Sequence, residues 1–406
     1  TIYKFFKKKI RMAKIYTSLG LMSGTSMDGV DASIIQTDGK SKYKAILDKY
    51  FEYPESIYNE LTTLRDKVKT SKDLTKYQKK IKSIEKDITI FHAESVNKIL
   101  KKTKLNVDFI GFHGQTIFHN WQKKITKQLG DGRLLSKLTK KKVVYDFRQN
   151  DLKNNGMGAP LAPVFHQLIY KKLKKEIGAV SVDFLNIGGI INSTNFGLRL
   201  ENEIIEAKDI GPGMCLIDKL IRDNIDQRYD KNGVIAKSGN VNKAKLKKLL
   251  KNLDGTYAGK EIYNLGNLSE KEKTKWYINY ESRAFPSLDV KQFNYEPVKR
   301  LTLKDAAATL TEFIALLIKR QGYYKGCCII LCGGGRKNNF LVRRIKKINK
   351  VCKIKLIDDY GINGDFIESQ AFGYLAIRSY LGLPISFPNT TGCKKPCTGG
   401  MIVKKF

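Results

Sequence analysis

The sequence has no long hydrophobic run. Its longest apolar stretch, residues 310–318, covers about nine residues, whereas a membrane-spanning helix needs ~20. Residues 1–11 are basic, but they contain neither an apolar core nor a small-residue cleavage site, so they lack the pattern of a secretory signal. We predict that Met12 is the natural start of the protein and that residues 1–11 are an upstream extension or a disordered tail.

Histidine is scarce, with 4 residues, although the chain contains 7 cysteines. The pairs Cys393-x-x-x-Cys397 and Cys328-x-x-x-Cys332 have the internal spacing of zinc-binding pairs. No histidine lies near Cys393 in the sequence, and Cys328 to Cys332 span a predicted buried strand, in which cysteine acts as a small apolar residue. We therefore interpret the cysteines as reduced thiols of a cytoplasmic protein that does not bind zinc.

Acidic residues are few. The 39 Asp and Glu stand against 75 Lys and Arg, which gives a formal net charge of +36. Such a charge could attract nucleic acid or anionic lipid. The lysines are spread over nearly every predicted surface, and no nucleic-acid-binding module is recognisable. We interpret the charge as a compositional bias and predict no dedicated nucleic-acid or membrane partner. A polyanion-binding protein with a vestigial nucleotide site remains an alternative.

The chain does contain an unusual loop, residues 20–31, with the sequence GLMSGTSMDGVD. A hairpin tip needs only about two turn residues. The surplus of small and hydroxyl residues therefore predicts that backbone amides and side-chain hydroxyls bind phosphate. Asp28 and Asp31 are hard oxygen ligands that suit Mg²⁺. The loop is not a Walker A motif, which requires Gly-x-x-x-x-Gly-Lys-Ser/Thr. The only Gly-Lys-Ser sequence of the chain is at residues 39–41, and there Ile34 occupies the position of the first glycine of that motif.

Two further glycine turns follow β-prone segments. Asn186-Ile187-Gly188-Gly189 lies between two predicted strands and resembles the first loop, and Gly333-Gly334-Gly335 follows a short apolar strand. Strands that alternate with helices predict an α/β fold with ligands at the strand ends. The 406 residues are enough for two or three domains. We predict that the three turns form one bipartite nucleotide cleft.

Eight motifs occur in the order found in one known family, and together they cover nearly the whole chain from Met12. The motifs are Leu21-Met22-Ser23-Gly24-Thr25-Ser26-Met27-Asp28-Gly29-Val30-Asp31, His113-Gly114-Gln115-Thr116, Asp146-Phe147-Arg148, Gly158-Ala159-Pro160-Leu161, Asn186-Ile187-Gly188-Gly189, Asp209-x-Gly211-Pro212-Gly213, Gly333-Gly334-Gly335-x-x-Asn338 and Glu368-x-x-Ala371-Phe372. On these motifs the chain resembles the anhydro-N-acetylmuramic acid kinases.

The resemblance implies a two-domain, actin-like fold of the sugar kinase, Hsp70 and actin group, with ATP in the cleft between the domains, and a homodimer. It implies that water opens 1,6-anhydro-N-acetylmuramic acid at C1 while O6 receives the γ-phosphoryl group of ATP, in recycling of the bacterial cell wall. We expect residues 12–150 and 370–406 to form the first domain and residues 151–369 the second. Another amino-sugar kinase of the same fold is the alternative.

The resemblance also implies roles for individual residues. Asp209 is the expected base for water, and Asp28 and Asp31 are the expected Mg²⁺ ligands. Expected contacts to ATP and its phosphates come from Gly24, Thr25, Ser26, Met27, Asp28, Gly29, Val30, Asp31, Asn186, Gly188, Gly189, Gly333, Gly334, Gly335 and Asn338. Expected contacts to the sugar come from His113, Gln115, Thr116, Arg148 and Glu368.

Several of these roles compete with structural ones. Arg148 could bind the lactyl carboxylate of the sugar or form a structural ion pair. His113 could be a satisfied buried histidine, and Glu368 and Asp209 could be charges near helix N-termini. Four sites depart from the family pattern: Met214 stands where Asn is usual, Gln149-Asn150 replace a more basic pair, Gly132-Arg133 stand where a Pro-Ala type turn is common, and Arg336-Lys337 follow the triple glycine in place of neutral residues. These departures bear on substrate affinity and leave every proposed catalytic group in place.

Overall fold

The computed structural model describes residues 14–199, 202–256 and 287–404, so residues 1–11 lie outside the described residues. The strands are β1 (Tyr16–Ser23), β2 (Gly29–Thr37), β3 (Tyr43–Glu52), β4 (Phe109–Asn120), β5 (Ile125–Leu129), β6 (Lys142–Tyr145), β7 (Ser181–Ile187), β8 (Ile190–Arg199), β9 (Asn202–Pro212), β10 (Cys327–Cys332), β11 (Lys353–Leu356) and β12 (Met401–Val403).

The helices lie between and after these strands. They are α1 (Glu55–Lys67), α2 (Ser71–Lys76), α3 (Gln78–Leu100), α4 (Gly132–Thr139), α5 (Gln149–Lys153), α6 (Pro163–Ile177), α7 (Cys215–Asn224), α8 (Val234–Lys237), α9 (Lys243–Thr256), α10 (Leu303–Lys319), α11 (Asn339–Ile348), α12 (Ile367–Tyr380) and α13 (Pro388–Thr391). Among the described helices, none is both long and apolar enough to cross a lipid bilayer.

Two sheets repeat one strand order. In the first sheet β1 lies between β2 and β4, with β3 beyond β2 and β6 and then β12 beyond β4, while β5 pairs with β4. In the second sheet β7 lies between β8 and β10, with β9 and β11 at the edges. Each sheet has a three-stranded antiparallel meander followed by two strands parallel to its first strand. This duplication confirms the predicted α/β, actin-like fold.

Local sequence signals set several helix ends. Thr302 accepts a hydrogen bond from the amide of Asp305 at 3.3 Å and begins α10, as its N-cap position predicts. Asn338 accepts from the amide of Leu341 at 3.0 Å and begins α11. Helix α10 is buried against the second sheet because its apolar residues recur at helical spacing.

Helix α12 packs with its backbone directly against the first sheet. A Cβ placed on Gly20 of β1 would collide with the carbonyl oxygen of Ser369, and one on Gly111 of β4 would collide with that of Phe372. Only glycine permits so close an approach of helix and strand. Glu368, in the first turn of α12, immediately precedes Ser369 at this contact with β1.

Each sheet has its own apolar core. One core joins β1, β2 and β4 with α1 and α3, and another joins β7, β8 and β10 with α7 and α10. A third core includes α6 and α12 and contacts both sheets. The boundaries of the two domains, residues 12–150 with 370–406 and residues 151–369, stay a prediction.

Candidate functional site

The loop between β1 and β2 is a strand-to-strand turn, as predicted. Met22 pairs antiparallel with Asp31, and the turn between them closes with the amide of Met27 donating to the carbonyl of Gly24 at 3.2 Å. Met27 has a positive φ of 59°, and its side chain is buried in the core of the first sheet. Thr25 and Ser26 remain exposed at the tip. The buried methionine thus anchors a loop whose Thr25 and Ser26 residues are exposed.

The side chain of Gln115 holds this loop through hydrogen bonds. The Ser23 hydroxyl shares its hydrogen between the Gln115 side-chain oxygen, at 2.6 Å, and the carbonyl of Gly29, at 2.9 Å. The Gln115 amide donates in turn to the carbonyl of Gly24 at 3.0 Å. Thr116, which follows on β4, accepts from Gln128 at 3.1 Å. Both polar groups of the Gln115 side chain therefore position the loop, which the sequence did not indicate.

The second glycine turn faces the first. The amides of Gly213 and Met214 donate to the carbonyls of Gly189 and Gly188 at 2.9 and 2.8 Å, which ties the Gly211–Gly213 segment to the turn. A Cβ placed on Gly189 would lie 2.6 Å from Thr25 Oγ1 of the first loop. The two turns consequently meet across one cleft, and any side chain at position 189 would fill the gap between them.

The triple glycine packs against the second turn. Side chains at Gly333 and Gly335 would collide with Asn186 and Ile187, whereas a Cβ on Gly334 would have no heavy atom within 4 Å. Gly334 is exposed, so its bare backbone is open to a ligand. Asn338, at the end of this segment, caps α11 through its side-chain oxygen, while its buried amide nitrogen has no partner among the described residues.

Arg336 holds the triple glycine in place. Its buried guanidinium donates to Asp358 at 2.6 Å, to Asp365 at 2.7 Å and to the carbonyl of Gly333 at 3.1 Å. Burial acts to lower the pKa of Arg336, but together the two carboxylates outweigh it, so the pKa lies above its usual range and the side chain stays charged. Sequence reasoning noted Arg336 only as a departure from the family pattern, and its acidic partners, more than 20 positions away, gave no local signal.

Asp209 is buried on β9, just before the Gly211–Gly213 turn. Asn192 of β8 donates to its Oδ1, and the amide of Leu288 donates to its Oδ2 at 2.7 Å. Burial raises the pKa of Asp209 to about 6, against the lowering effect of these hydrogen bonds and of Arg148. A carboxylate held in this way is fixed in orientation and close to the pKa that suits a general base at neutral pH.

Arg148, which follows β6, forms a pair with His113 of β4. Two nitrogens of Arg148 donate to His113 Nε2, at 2.8 and 3.2 Å, and a third donates to the carbonyl of Gly158 at 2.8 Å. His113 Nδ1 lies 2.7 Å from the carbonyl of Gly114. Burial, then the charge of Arg148, holds the pKa of His113 well below its usual range, so the ring is neutral and accepts from Arg148. Both ring nitrogens are thus engaged within the protein.

Acidic groups surround the same cleft. Burial raises the pKa of Glu368, while Arg148 opposes this change. Burial raises the pKa of Asp31 to about 8, with further contributions from the charges of Glu368, Asp28 and Asp365. The structure therefore brings the predicted residues Asp31, Glu368 and Arg148 within electrostatic reach of one another, although they come from distant parts of the sequence.

The solved structures that resemble this chain do so weakly. The activator of the 2-hydroxyisocaproyl-CoA dehydratase from Clostridium difficile, with bound ADPNP, has a TM-score of 0.34 at 10% identity, over 89% of this chain and 94% of that chain. A ROK family protein from Streptococcus pneumoniae TIGR4, in complex with sucrose, has a TM-score of 0.33 at 10% identity, over 90% and 99%.

The sequence relatives are much closer. The anhydro-N-acetylmuramic acid kinase of Pelagibacter ubique (strain HTCC1062) is 47% identical over 403 residues, which are 97% of this chain and 100% of the relative. That of Agrobacterium fabrum (strain C58 / ATCC 33970) is 32% identical over 401 residues, with coverages of 97% and 100%. The profile of the same family matches residues 16–405. The chain therefore belongs to the anhydro-N-acetylmuramic acid kinase family.

Proposed function

We propose that this protein opens 1,6-anhydro-N-acetylmuramic acid with water and phosphorylates its O6 from ATP. The products are N-acetylmuramic acid 6-phosphate and ADP, and the reaction serves recycling of cell-wall peptidoglycan. One observation carries the proposal beyond family membership: a buried, oriented carboxylate, Asp209, lies beside two facing glycine turns and within electrostatic reach of Arg148. Hydrolysis and phosphoryl transfer at one sugar need such a base beside a phosphate site.

Asp209 acts as the general base. It takes a proton from water, the water oxygen bonds to C1, the C1–O6 bond breaks, and O6 accepts the γ-phosphoryl group. The hydrogen bonds from Asn192 and the Leu288 amide orient the carboxylate. Because burial keeps the pKa at about 6, the group is ionised at neutral pH and remains basic enough to take the proton.

Arg148 binds the lactyl carboxylate of the sugar. A guanidinium presents donors in a plane that matches a carboxylate. His113 supports this role as a positioning residue, since its neutral ring accepts two hydrogen bonds from Arg148. Glu368 accepts hydrogen bonds from sugar polar groups, and Thr116 of β4 provides a further contact to the sugar. Gln115 contributes indirectly, because it holds the Gly24 carbonyl and thus the first loop.

ATP binds between the facing turns. Amides and hydroxyls of residues 24–31 and 186–189 contact its phosphates, the Gly333–Gly335 backbone lies against the nucleoside, and Asn338 has a free buried amide on this side. Asp28 and Asp31 fit Mg²⁺, because both are hard oxygen donors, and a cation would favour the ionised form of Asp31, whose pKa is raised by burial and then by the charges of Glu368 and Asp28. When bound, Mg²⁺ neutralises charge on the transferring phosphoryl group.

A variant of the proposed general base, Asp209, tests the proposal. We expect wild type to consume ATP with the anhydro sugar and, in ¹⁸O water, to place the heavy oxygen at C1 of the product. Asp209→Asn should still bind ATP and lose turnover, since an amide cannot take the proton. Asp87→Asn, on the exposed face of α3, is the matched control.

Two outcomes contradict this reading in different ways. An active Asp209→Asn variant removes Asp209 as the base. Phosphorylation without ¹⁸O at C1 indicates an ordinary amino-sugar kinase of the same fold. We further propose a cytoplasmic homodimer, as the resemblance implies, and light scattering of the full chain measures its mass.

A further inference from the structure

One cluster of side chains lies outside the proposed nucleotide and sugar sites. Among the described residues, Asp151, Cys393 and Cys397 are the one group whose potential metal-ligand atoms, a carboxylate oxygen and two thiol sulfurs, all lie within 4.8 Å of one another. All three residues are buried. The Cys-x-x-x-Cys spacing is that of a zinc-binding pair, and the chain supplies a third donor from α5 that the sequence did not indicate.

Hydrogen bonds hold the donor atoms in place. Asp151 Oδ1 accepts from the Thr391 hydroxyl at 2.7 Å, and Oδ2 accepts from the Gly158 amide at 2.6 Å. The backbone of Cys397 pairs with Ser386 in both directions, at 3.1 and 3.2 Å. Supporting bonds of this kind orient ligands around protein-bound metals, where ligating carboxylates are themselves hydrogen-bonded.

The buried carboxylate of Asp151 is not directly paired with a cation among the described residues. Asp151 forms no ion pair with any residue that the structure describes, although it is 1% exposed. If Cys393 and Cys397 were only small apolar residues, burying a carboxylate against them would cost free energy that two neutral hydrogen bonds and the more distant charge of Arg148 offset in part. A divalent cation removes this penalty. Two sulfurs and one oxygen favour zinc over the hard cations Mg²⁺ and Ca²⁺.

Contrary to the interpretation from the sequence alone, we propose that Asp151, Cys393 and Cys397 bind one zinc ion. On binding, each thiol releases its proton to solvent, two thiolates and one carboxylate bond to the metal, and a water molecule completes a tetrahedral site. The ion joins residues 391–397 to α5. Asp151 also holds Gly158, whose carbonyl accepts from Arg148, so the ion braces the segment that positions this arginine.

Metal content of the reduced, full-length protein tests the proposal. The chain is purified anaerobically with a phosphine reductant, exposed to Zn²⁺, desalted and analysed by mass spectrometry of the metal. We expect one zinc per chain in wild type and in Cys215→Ser, a control at a half-buried thiol elsewhere. We expect Cys393→Ser, Cys397→Ser and Asp151→Asn each to lower the affinity by about tenfold or more.

Cobalt identifies the ligands independently of the variants. Wild type titrated with Co²⁺ should develop a thiolate-to-cobalt charge-transfer band, which Zn²⁺ then abolishes. This titration decides the matter if circular dichroism shows that a variant has not folded. Absence of the band, wild type that retains no zinc, or Cys397→Ser that binds as tightly as wild type would each overturn the proposal. So would a Cys393–Cys397 disulfide whose reduction restores no metal binding.

Discussion

Turnover should fall as the pH drops through about 6, because burial raises the pKa of Asp209 to about 6 and a general base must be ionised. An aspartate at the ordinary value of 3.8 would keep its activity well below that pH. Asn192→Ala removes one of the hydrogen bonds that favour the ionised form. A hydrogen bond to a charged group contributes about 1.5–3 kcal/mol, and 1.36 kcal/mol corresponds to one pKa unit. We therefore expect the acidic limb to move to higher pH by about 1 unit.

The assay is kcat/KM for the anhydro sugar at saturating ATP and Mg²⁺, measured across the acidic range. Asn195→Ala on the same strand is the matched control, because Asn195 bonds to Ser181 and not to Asp209. ATP itself titrates identically with each protein, so only differences between variants are assigned to Asp209. Two results would refute the reasoning. One is an acidic limb of the wild-type pH profile near the ordinary carboxyl pKa, and the other is an acidic limb at the same pH in Asn192→Ala as in the control.

Four further predictions follow from contacts described above. Asp31, with a pKa of about 8, is protonated at neutral pH and should release close to one proton when Mg²⁺ and nucleotide bind; calorimetry in buffers of different ionisation enthalpy measures this, and Asp31→Asn should release none. Gly20→Ala should destabilise the fold by about 3 kcal/mol or more in urea unfolding, because its Cβ meets helix backbone that cannot move aside. His113→Leu removes the acceptor for Arg148 and should raise the KM for the sugar while the KM for ATP stays constant; equal changes in both would contradict the positioning role. Arg336→Met should lower the free energy of unfolding by about 3 kcal/mol. This value is the lower limit for breaking a buried ion pair, and it applies because the partners Asp358 and Asp365 are partly exposed.

The parts of the fold that are determined by a few adjacent residues could be predicted from the sequence. The strand–turn–strand at residues 20–31, the second glycine turn and the Thr302 cap each have a local signal, and the structure has all three. These features follow from backbone preferences of a few adjacent residues. Consequently the α/β class and the position of the glycine turns required no knowledge of tertiary contacts.

The partners of the site residues were not predictable. Gln115 and His113 are suitable residues for binding a sugar, but in the structure they hold the Gly24 carbonyl and Arg148. Asp151 meets Thr391 across 240 positions of sequence. Such pairings depend on which strands become neighbours, and hydrophobic periodicity specifies the faces of an element without specifying its neighbours.

The tight packing of α12 on β1 has a consequence for synthesis on the ribosome. Strand β1 is among the first described segments to be translated, yet the helix that covers its glycine surface is made only after the whole second sheet. A nascent chain released before residues 367–380 exposes one face of β1. Premature termination in this region should therefore yield an aggregation-prone product rather than a shortened enzyme, and folding of the first sheet must wait for the last helices.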